Sequence, residues 1–243
     1  MQNKNIAIII PTFNEVNNIT AIIEKIFSLG DNFFVLVVDD NSPDGTPRVV
    51  QNLQRQYHNL NLMLRKEKMG IGSAYKDGFK YVLDRNYDIV IQMDADMSHD
   101  PSCIGIMLDL LDNYDLVIGS RYIMGGSACD SSFGRILLSR LANTLGRLMF
   151  GLPVRDLTSG FKCMKKDALE RINVDAIISR GYFFQVELVF RSFLKGIKIV
   201  EYPIVCQGRS RGKSKMSFSV ILEAFNMAIV LWYKKVFKKC LFR

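Results

Sequence analysis

Two aspartates, Asp94 and Asp96, stand one residue apart directly after an apolar run over residues 89–93. A short, continuous apolar run is typical of a strand that is buried on both faces of a sheet. Carboxylates at positions i and i+2 beyond such a strand point from the sheet edge toward solvent, where a hard divalent cation can bind with several waters still attached. The spacing therefore predicts a site for a metal ion and a diphosphate, although a solvated turn before a helix that starts at Pro101 also fits these residues taken alone.

The composition limits the class of protein. A chain of 243 residues, 49% hydrophobic and 23% charged, can bury one α/β domain but not two full ones. Its five cysteines are odd in number and include no Cys-x-x-Cys pair, so they indicate neither a disulfide framework nor a zinc site. We expect a reducing, cytosolic compartment, and no secretory signal, because the first apolar segment is only a short strand.

Strand and helix patterns alternate five times in the first half of the chain. The predicted strands are residues 5–10, 33–38, 61–65, 88–93 and 114–119. This alternation predicts an α/β fold whose mainly parallel sheet is covered by helices on both faces. Ligands of such sheets bind beyond the carboxyl ends of the strands. The acidic and glycine-rich segments that follow predicted strands there are residues 11–15, 39–44, 70–73 and 94–96.

The second half of the chain has a different pattern. The predicted elements are a flexible loop at 125–128, a helix at 135–150, a turn at 157–161, a helix at 182–194, a strand at 198–206 and a basic loop at 208–215. A last helix at 217–233 is amphipathic, and its longest apolar run, 227–233, falls short of the roughly 20 residues that span a bilayer. We expect a catalytic domain over 1–215 and a basic amphipathic helix over 216–243 that lies on a membrane surface or docks on a partner.

The positive charge is concentrated at the C-terminus. The net charge of +8 arises entirely after residue 207, where nine Lys and Arg face one acid, Glu223; the 23 basic and 23 acidic residues before that point cancel. Nucleic acid is one partner that such charge can attract, but the same charge on an apolar helix more often indicates an anionic membrane surface. We therefore predict a membrane surface and no nucleic acid.

Two glycine-rich stretches imitate nucleotide motifs. The GIG sequence at 70–72 has Tyr75 where a dinucleotide fingerprint needs its third glycine, and it follows the third strand instead of the first. The GRSRGKS sequence at 208–214 has one residue too few between its glycines for a P-loop. Neither indicates a nicotinamide, flavin or ATPase site.

Six stretches at the predicted sheet edge form a pattern together. They are PTFNE at 11–15, VVDDNSPDGT at 37–46, KMGIGSAY at 68–75, DAD at 94–96, GSRY at 119–122 and DLTSGF at 156–161. In this order they closely resemble the polyprenol-phosphate hexose synthases, in particular the dolichol-phosphate mannose synthases among the inverting family 2 glycosyltransferases. The resemblance extends from residue 8 to about residue 218, and the DDNSPDGT string is specific to this branch. It implies a nucleotide-diphospho-sugar transferase fold of the GT-A type.

The resemblance assigns donor and metal sites. The residues it implies for the base and ribose of a sugar nucleotide are Pro11, Phe13, Glu15, Val38 and Asp40. Tyrosine is usual where Phe13 stands, so a stacking role remains without a hydroxyl contact, and both Phe13 and Val38 also fit ordinary core positions. The residues implied for the diphosphate and a magnesium or manganese ion are Asp94, Ala95, Asp96 and Ser98. His99 is a weaker candidate, because a hard cation prefers oxygen ligands.

The acceptor implied by the resemblance needs no general base. A phosphate monoester is largely dianionic near neutral pH and can attack the anomeric carbon directly. The site must then clamp the acceptor phosphate with cations and neutralise the leaving diphosphate. The residues at the family's phosphate-binding positions are Arg121, Arg135, Ser139, Arg209 and Lys215, and Arg121 is also expected to contact the donor. The predicted catalytic residues are Asp94, Asp96 and Arg121.

The resemblance predicts transfer of a hexose, mannose from GDP-mannose above all, to polyprenyl or dolichyl phosphate. We expect this at the cytoplasmic face of a membrane, with peripheral attachment through the helices at 135–150 and 217–233 or through separate small membrane subunits. UDP-glucose as donor, a saccharide acceptor that needs a general base, and a non-catalytic basic module that binds RNA or lipid are the alternatives. The sugar, the polyprenol length, the preferred metal and the oligomeric state stay open at this point.

Overall fold

The computed structural model of the protein describes residues 4–30, 32–128, 133–206, 227–231 and 233, apart from the side chains of Phe133, Arg135 and Leu138. The predicted basic loop with Arg209 and Lys215 lies outside the described residues, as does most of the predicted last helix, of which residues 227–231 are helical. The division into a catalytic domain and a C-terminal helix therefore stays a prediction.

Strands and helices alternate along most of the described chain. The strands are β1 (Ile6–Thr12), β2 (Phe33–Asp39), β3 (Leu60–Leu64), β4 (Ile89–Gln92), β5 (Leu116–Ser120), β6 (Ser127–Ala128), β7 (Lys162–Lys165), β8 (Ile199–Pro203) and β9 (Val205–Cys206). The helices are α1 (Ile19–Phe27), α2 (Thr46–Leu53), α3 (Ile71–Leu83), α4 (Ile104–Leu110), α5 (Phe133–Phe150), α6 (Lys166–Ile172) and α7 (Phe184–Leu194), with short 3-10 turns at Pro101–Cys103 and Val174–Ala176.

The large sheet has seven strands in the order β3-β2-β1-β4-β7-β5-β8. Its pairs are parallel except those of β7, which runs antiparallel to β4 and β5. A small second sheet pairs β6 with β9. The predicted fold class, an α/β fold with a mainly parallel sheet, is confirmed.

Three segments differ from the sequence prediction. The pattern does not predict β7 and α6, because lysines bound a strand that holds only two apolar residues and no continuous apolar run results. The single strand expected at 198–206 is divided at Ile204, where the chain leaves the large sheet after Pro203 and β9 pairs with β6 instead. The loop expected at 125–128 thus includes β6.

The core occupies both faces of the large sheet. Ile8 and Ile10 of β1 belong to an apolar cluster shared with α1, α2 and α4, whereas Ala7 and Ile9 belong to a cluster shared with α3, α6 and α7. Successive side chains of a strand point to opposite faces, so every residue of β1 is buried although neighbours pack against different helices. This two-sided burial explains the continuous apolar runs of the sequence.

The loops after the parallel strands leave the sheet at its carboxyl edge. Because β7 is antiparallel, the turn that precedes it, residues 156–161, reaches the same edge, where the N–H of Gly119 donates to the carbonyl of Phe161 at 2.9 Å. The topology therefore gathers the polar segments after β1, β2, β3, β4 and β5 and the 156–161 turn along one edge.

One close approach fixes how α3 lies on the sheet. Gly78 of α3 faces β1, and a Cβ atom at this position would stand 2.6 Å from Cγ2 of Ile9. Ile9 is fully buried, so it has no room to move aside. A larger residue at position 78 would push α3 off the sheet.

We expect Gly78→Ala to lower the free energy of unfolding by roughly 1–3 kcal/mol, because overpacking outweighs the better helix propensity of alanine. Gly105→Ala is the matched control: Gly105 lies in α4 with no atom within 4 Å of an added Cβ, and its replacement should stabilise by about 0.5–1 kcal/mol. Urea unfolding of both variants measures the difference. Equal effects of the two substitutions would contradict the close packing of α3.

Candidate active site

The two aspartates after β4 lie in a partly closed setting. The Tyr75 hydroxyl donates to Oδ1 of Asp94 at 3.2 Å, and Asp96 is only 7% exposed, with Oδ1 accepting the Ser98 N–H at 3.1 Å. The side chain of Asp96 is therefore more enclosed than the expected position facing open solvent. Burial, followed by the charge of Asp94, holds the pKa of Tyr75 well above its usual value, so this hydroxyl stays a donor.

The backbone directly after these carboxylates is strained. Met97 has φ of 64°, in the left-handed region that residues other than glycine, asparagine and aspartate rarely adopt. Such a conformation costs about 1–2 kcal/mol and persists where the surrounding structure imposes it, often at functional sites. The turn at Met97 brings the Ser98 N–H to Asp96.

His99 supports the backbone of the pair. Its Nδ1 atom accepts the N–H of Asp94 at 3.2 Å, and its ring stacks on Phe161 with centroids 5.3 Å apart. Burial lowers the pKa of His99, against the opposite effect of the two aspartates, so the ring is neutral near pH 7. These contacts give His99 a positioning role that needs no metal bond at Nδ1.

The 156–161 turn lies directly against Asp94. A Cβ atom at Gly160 would stand 2.6 Å from Oδ2 of Asp94. Only a residue without a side chain leaves this carboxylate where it is. Sequence reasoning quoted the DLTSGF motif without assigning this contact to any residue in it.

Arg121 is held by Asp156 at the end of β5. Nε donates to Oδ2 of Asp156 at 2.7 Å, and Nη2 donates to Oδ1 at 2.8 Å and to Oγ1 of Thr158 at 2.8 Å. Burial of Asp156 opposes its ionisation, but the hydrogen bonds and charge of Arg121 outweigh this and keep its pKa below the usual range. Nη1 makes no hydrogen bond to any residue that the structure describes, and the Arg121 side chain is 23% exposed.

Helix α5 docks beside this arginine. Asn143 accepts the Leu157 N–H at 2.7 Å and donates to Thr158 Oγ1 at 3.2 Å, which joins α5 to the 156–161 turn. Ser139 accepts the Tyr122 hydroxyl at 2.7 Å. The structure thus brings the predicted acceptor residue Ser139 next to the residue that follows Arg121.

The other predicted acceptor residues are not described to the same extent. Arg135 lies in α5, one turn before Ser139, but its side chain is outside the described part of the structure. Arg209 and Lys215 lie entirely outside it. Their predicted contacts with the acceptor phosphate stay predictions.

Asp39 ties together the loops after β1 and β2. Its carboxylate, fully buried, accepts the hydroxyls of Thr12 and Ser42 at 2.7 Å each and the Ser42 N–H at 2.7 Å. The N–H groups of Asn14 and Glu15 in turn donate to Ser42 and Thr46. The sequence assigned a ligand role to Asp40 of the DDNSPDGT string but none to Asp39; in the structure, Asp39, Ser42 and Thr46 of that string hold the loop that contains Phe13 and Glu15.

The Asp40 carboxylate makes three contacts within the described part of the protein. Oδ1 forms a buried ion pair with Arg65, and Oδ2 accepts the N–H groups of Met69 and Gly70 at 3.2 and 3.1 Å. Arg65 also reaches Ser73 at 2.5 Å. Asp40 was predicted to hold the base or ribose, which stays a prediction, and its observed contacts support the 65–70 loop. Sequence reasoning assigned Arg65 no role, although it follows β3 at the ligand edge.

The remaining donor candidates differ in accessibility. Phe13 is half-buried, and the Lys68 ammonium lies 4.1 Å from its ring centroid, so this ring stands at the surface of the edge. Pro11 and Ala95 are buried, and Val38 is fully buried in the core against α3. The Val38 side chain therefore serves as core, and its predicted ligand contact stays a prediction.

The carboxylates fit a hard divalent cation by their chemistry. Asp94 and Asp96 present oxygen donors, and no salt bridge within the described residues involves Asp94. Within the same residues there is no group of three or more His, Cys, Asp or Glu placed to hold a metal. Mg²⁺ commonly binds to one or two carboxylates and completes its shell with water and substrate phosphates, which is the kind of site that these residues can form.

Positive and negative groups share one space at the edge. Burial lowers the pKa of His99; Asp94 and Asp96 raise it, and Arg121 lowers it further. Burial raises the pKa of the Cys206 thiol. Arg121 acts against this increase, and the two aspartates add to it. The contacts of one turn show the same proximity: Asp156 and Thr158 hold Arg121, and Gly160 of the same turn lies against Asp94. Arg121 and the aspartate pair therefore belong to one site.

The similarity of this chain to known proteins agrees with a ligand site at this edge of the sheet. The chain matches the glycosyl transferase family 2 over residues 7–172. It is 40% identical over 219 residues to a polyprenol monophosphomannose synthase of Mycolicibacterium smegmatis, covering 89% of this chain and 83% of that protein. This chain belongs to glycosyl transferase family 2. It is also 38% identical over 216 residues to an undecaprenyl-phosphate mannosyltransferase of Micrococcus luteus, covering 89% of each.

Solved structures agree on the fold of this glycosyltransferase. A mannosyltransferase from Pyrobaculum calidifontis, in complex with GDP-Man and Mn²⁺, has a TM-score of 0.62 at 17% identity, covering 97% of this chain and 68% of that one. Glucosyl-3-phosphoglycerate synthase from Mycobacterium tuberculosis has a TM-score of 0.69 at 18% identity, covering 96% and 78%. Identities this low establish the fold alone, and the predicted GT-A fold is confirmed.

We expect Gly160→Ala to displace the Asp94 carboxylate and to weaken Mn²⁺ binding about 10- to 100-fold, the usual effect of disturbing the support of a metal ligand. Isothermal titration with Mn²⁺ in the presence of GDP measures this. Gly105→Ala, far from the edge in α4, controls for the substitution itself. A Gly160→Ala protein with the wild-type dissociation constant would contradict the contact.

Proposed function

We propose that this family 2 glycosyltransferase transfers mannose from GDP-mannose to a polyprenyl monophosphate with inversion at the anomeric carbon. The observation that carries the proposal is one sheet edge with a carboxylate pair, Asp94 and Asp96, on one side and a buttressed arginine, Arg121, on the other. The names of the two mannosyltransferase relatives, at 40% and 38% identity, support both the sugar and the lipid phosphate acceptor.

The proposed reaction is a direct displacement. An oxygen of the acceptor phosphate forms a bond to the anomeric carbon while the bond from that carbon to the GDP oxygen breaks, which yields mannosyl-phosphoryl-polyprenol and GDP. The acceptor dianion brings its own electron pair, so no proton has to be removed. This suits an edge where His99 uses Nδ1 for the Asp94 backbone and Asp156 is bound to Arg121.

Arg121 is proposed to steer the phosphate groups. Its Nε and Nη2 atoms are occupied by Asp156 and Thr158, so its guanidinium plane is fixed. Nη1 has no hydrogen bond to the described residues, so its two N–H groups can donate to a phosphate oxygen, and a planar, preoriented donor loses little entropy on binding. Arg135, Ser139, Arg209 and Lys215 are proposed to complete the acceptor phosphate site.

The donor nucleotide is proposed to lie along the other half of the edge. Phe13 offers a ring for stacking the base, beside Glu15 and Asp40, and the buried residues Pro11, Val38 and Ala95 are proposed to support this half of the edge from within the fold. Asp94, Asp96 and Ser98 would hold Mg²⁺ or Mn²⁺, which when bound neutralises the charge that develops on the departing diphosphate. Preoriented groups of this kind act by electrostatic stabilisation of the transition state.

The acceptor lipid is proposed to reach the site along α5 from a membrane surface. Leu137, Leu141, Leu145 and Leu148 are exposed at spacings of four, four and three residues, which forms one apolar stripe on this helix. Across the described residues, none of the helices has the length and apolarity to cross a membrane. We propose peripheral attachment on the cytoplasmic side through α5 and the basic segment 216–243, with a catalytic domain over 1–215 and small membrane subunits as optional partners.

A donor panel tests the function. Purified protein, Mg²⁺ or Mn²⁺, undecaprenyl phosphate and radiolabelled GDP-mannose or UDP-glucose are incubated, and label that becomes extractable into organic solvent is counted. We expect label from GDP-mannose and a loss of about 100-fold or more in Asp96→Asn, but not in Asp109→Asn, which alters an exposed residue of α4. Label from UDP-glucose alone would replace mannose by glucose, and no label from either donor would refute the proposal.

Arg209→Ala should weaken acceptor use more than donor binding. The expected result is a KM for undecaprenyl phosphate raised about tenfold or more, the effect of losing one charge-assisted phosphate contact. The dissociation constant for GDP with Mn²⁺ should stay within about twofold, since this contact is to the acceptor. Arg55→Ala, an exposed arginine after α2, is the control. Equal losses for donor and acceptor would contradict the assignment.

A further inference from the structure

Lys162 is a fully buried lysine that the proposed reaction does not use. It opens β7, between β4 and β5, opposite Gln92 and Ile118 in the two registers. Its Nζ donates to the carbonyl of Ser159 and, at 2.6 Å, to Oε1 of Gln185. The same Oε1 accepts Nε2 of Gln92 at 2.8 Å.

This lysine is costly to the fold. Burial disfavours its ammonium form and lowers the pKa of Lys162 to about 7, although Asp156 and Asp94 act in the opposite direction. No salt bridge to it occurs among the described residues. Lysine is almost never fully buried without an ion pair, and an apolar side chain would pack here at lower cost.

The partners of Lys162 lie between the two halves of the site. Ser159 belongs to the turn whose Asp156 holds Arg121 and whose Gly160 lies against Asp94. Gln92 stands two residues before Asp94, and Gln185 belongs to α7. The Nζ atom thus connects the 156–161 turn to α7 and, through Gln185, to β4. The turn holds Arg121, and β4 leads to Asp94.

We propose that Lys162 is a positioning residue that holds the 156–161 turn and thereby sets Arg121 relative to the Asp94 carboxylate. This rests on the proposed function. An ammonium and a neutral amine both donate hydrogen bonds, so the tie to Ser159 and Gln185 persists on either side of neutral pH. Its long, unbranched stem reaches Ser159 from inside the sheet.

Lys162→Met tests the proposal, because methionine has a similar length and no donor. Lys165→Met is the matched control: Lys165 ends the same strand and pairs with Asp115 at 3.1 Å, away from the carboxyl edge. We measure thermal unfolding, Mn²⁺ binding with GDP by titration calorimetry, and kcat and KM for both substrates. Lys162→Met should lose about 10- to 100-fold in Mn²⁺ affinity and in kcat, whereas Lys165→Met should change neither.

A purely structural role gives another result. Lys162→Met would then unfold at lower temperature but keep the wild-type kcat and Mn²⁺ affinity, and the proposal would be overturned. Should wild-type protein turn over no donor yet Mn²⁺ affinity fall in Lys162→Met, the proposed function is refuted and the positioning of Asp94 stands. Wild-type protein that binds no Mn²⁺ with GDP would overturn both.

A second pair of variants covers a Lys162→Met protein that does not fold. The first is Lys165→Met, which again serves as the control, and the second changes Gln185, whose Oε1 accepts from both Lys162 and Gln92. Gln185→Met removes that acceptor and should reproduce the loss in kcat and Mn²⁺ affinity. Wild-type values in Gln185→Met would overturn the proposal.

Discussion

The site depends on keeping opposite charges close without letting them pair. Arg121 and the aspartates after β4 share one edge, and a free guanidinium there would bind a carboxylate as readily as a phosphate. Asp156 prevents this. Its fully buried carboxylate accepts hydrogen bonds from Nε and Nη2 of Arg121 and so forms a bidentate pair with the guanidinium. The arginine keeps its plane and, among the described residues, one nitrogen without a hydrogen bond, and neither aspartate is paired with Arg121 in any ion pair of those residues.

Neutral hydrogen-bonding groups surround the charged ones. Tyr75 and His99 are both buried, and both touch Asp94 without neutralising it, one through the carboxylate and one through the backbone. Burial favours the uncharged form of each. Below the edge, Lys162 adds hydrogen bonds to Ser159 and Gln185. Connected hydrogen bonds of this kind fix geometry more firmly than isolated contacts do.

Hydrogen bonds to buried carboxylates also fix the loops of the donor half of the edge. Asp39 and Asp40 are neighbours in sequence, yet each organises a different loop: Asp39 joins the loops after β1 and β2, and Asp40 holds Arg65 and the backbone after it. Buried carboxylates need several donors to offset lost hydration. Both acids find those donors in backbone N–H groups, hydroxyls and an arginine, so they act first as supports of the ligand edge.

The amino-acid sequence alone predicts the alternating α/β order, the ligand edge, the family and the positions of the carboxylate pair, because apolar runs and acidic segments after strands are local patterns. It could not assign β7, since a strand that begins with Lys162 breaks the apolar pattern, nor Arg65 or Asp156, whose partners lie 25 and 35 residues away. For Val38 the sequence predicted a ligand contact from the family resemblance, whereas the structure shows its side chain in the core. The strand β7, the partners of Arg65 and Asp156 and the burial of Val38 are visible only in the folded chain. Burial and pairing depend on which distant segments the antiparallel strand brings to one edge.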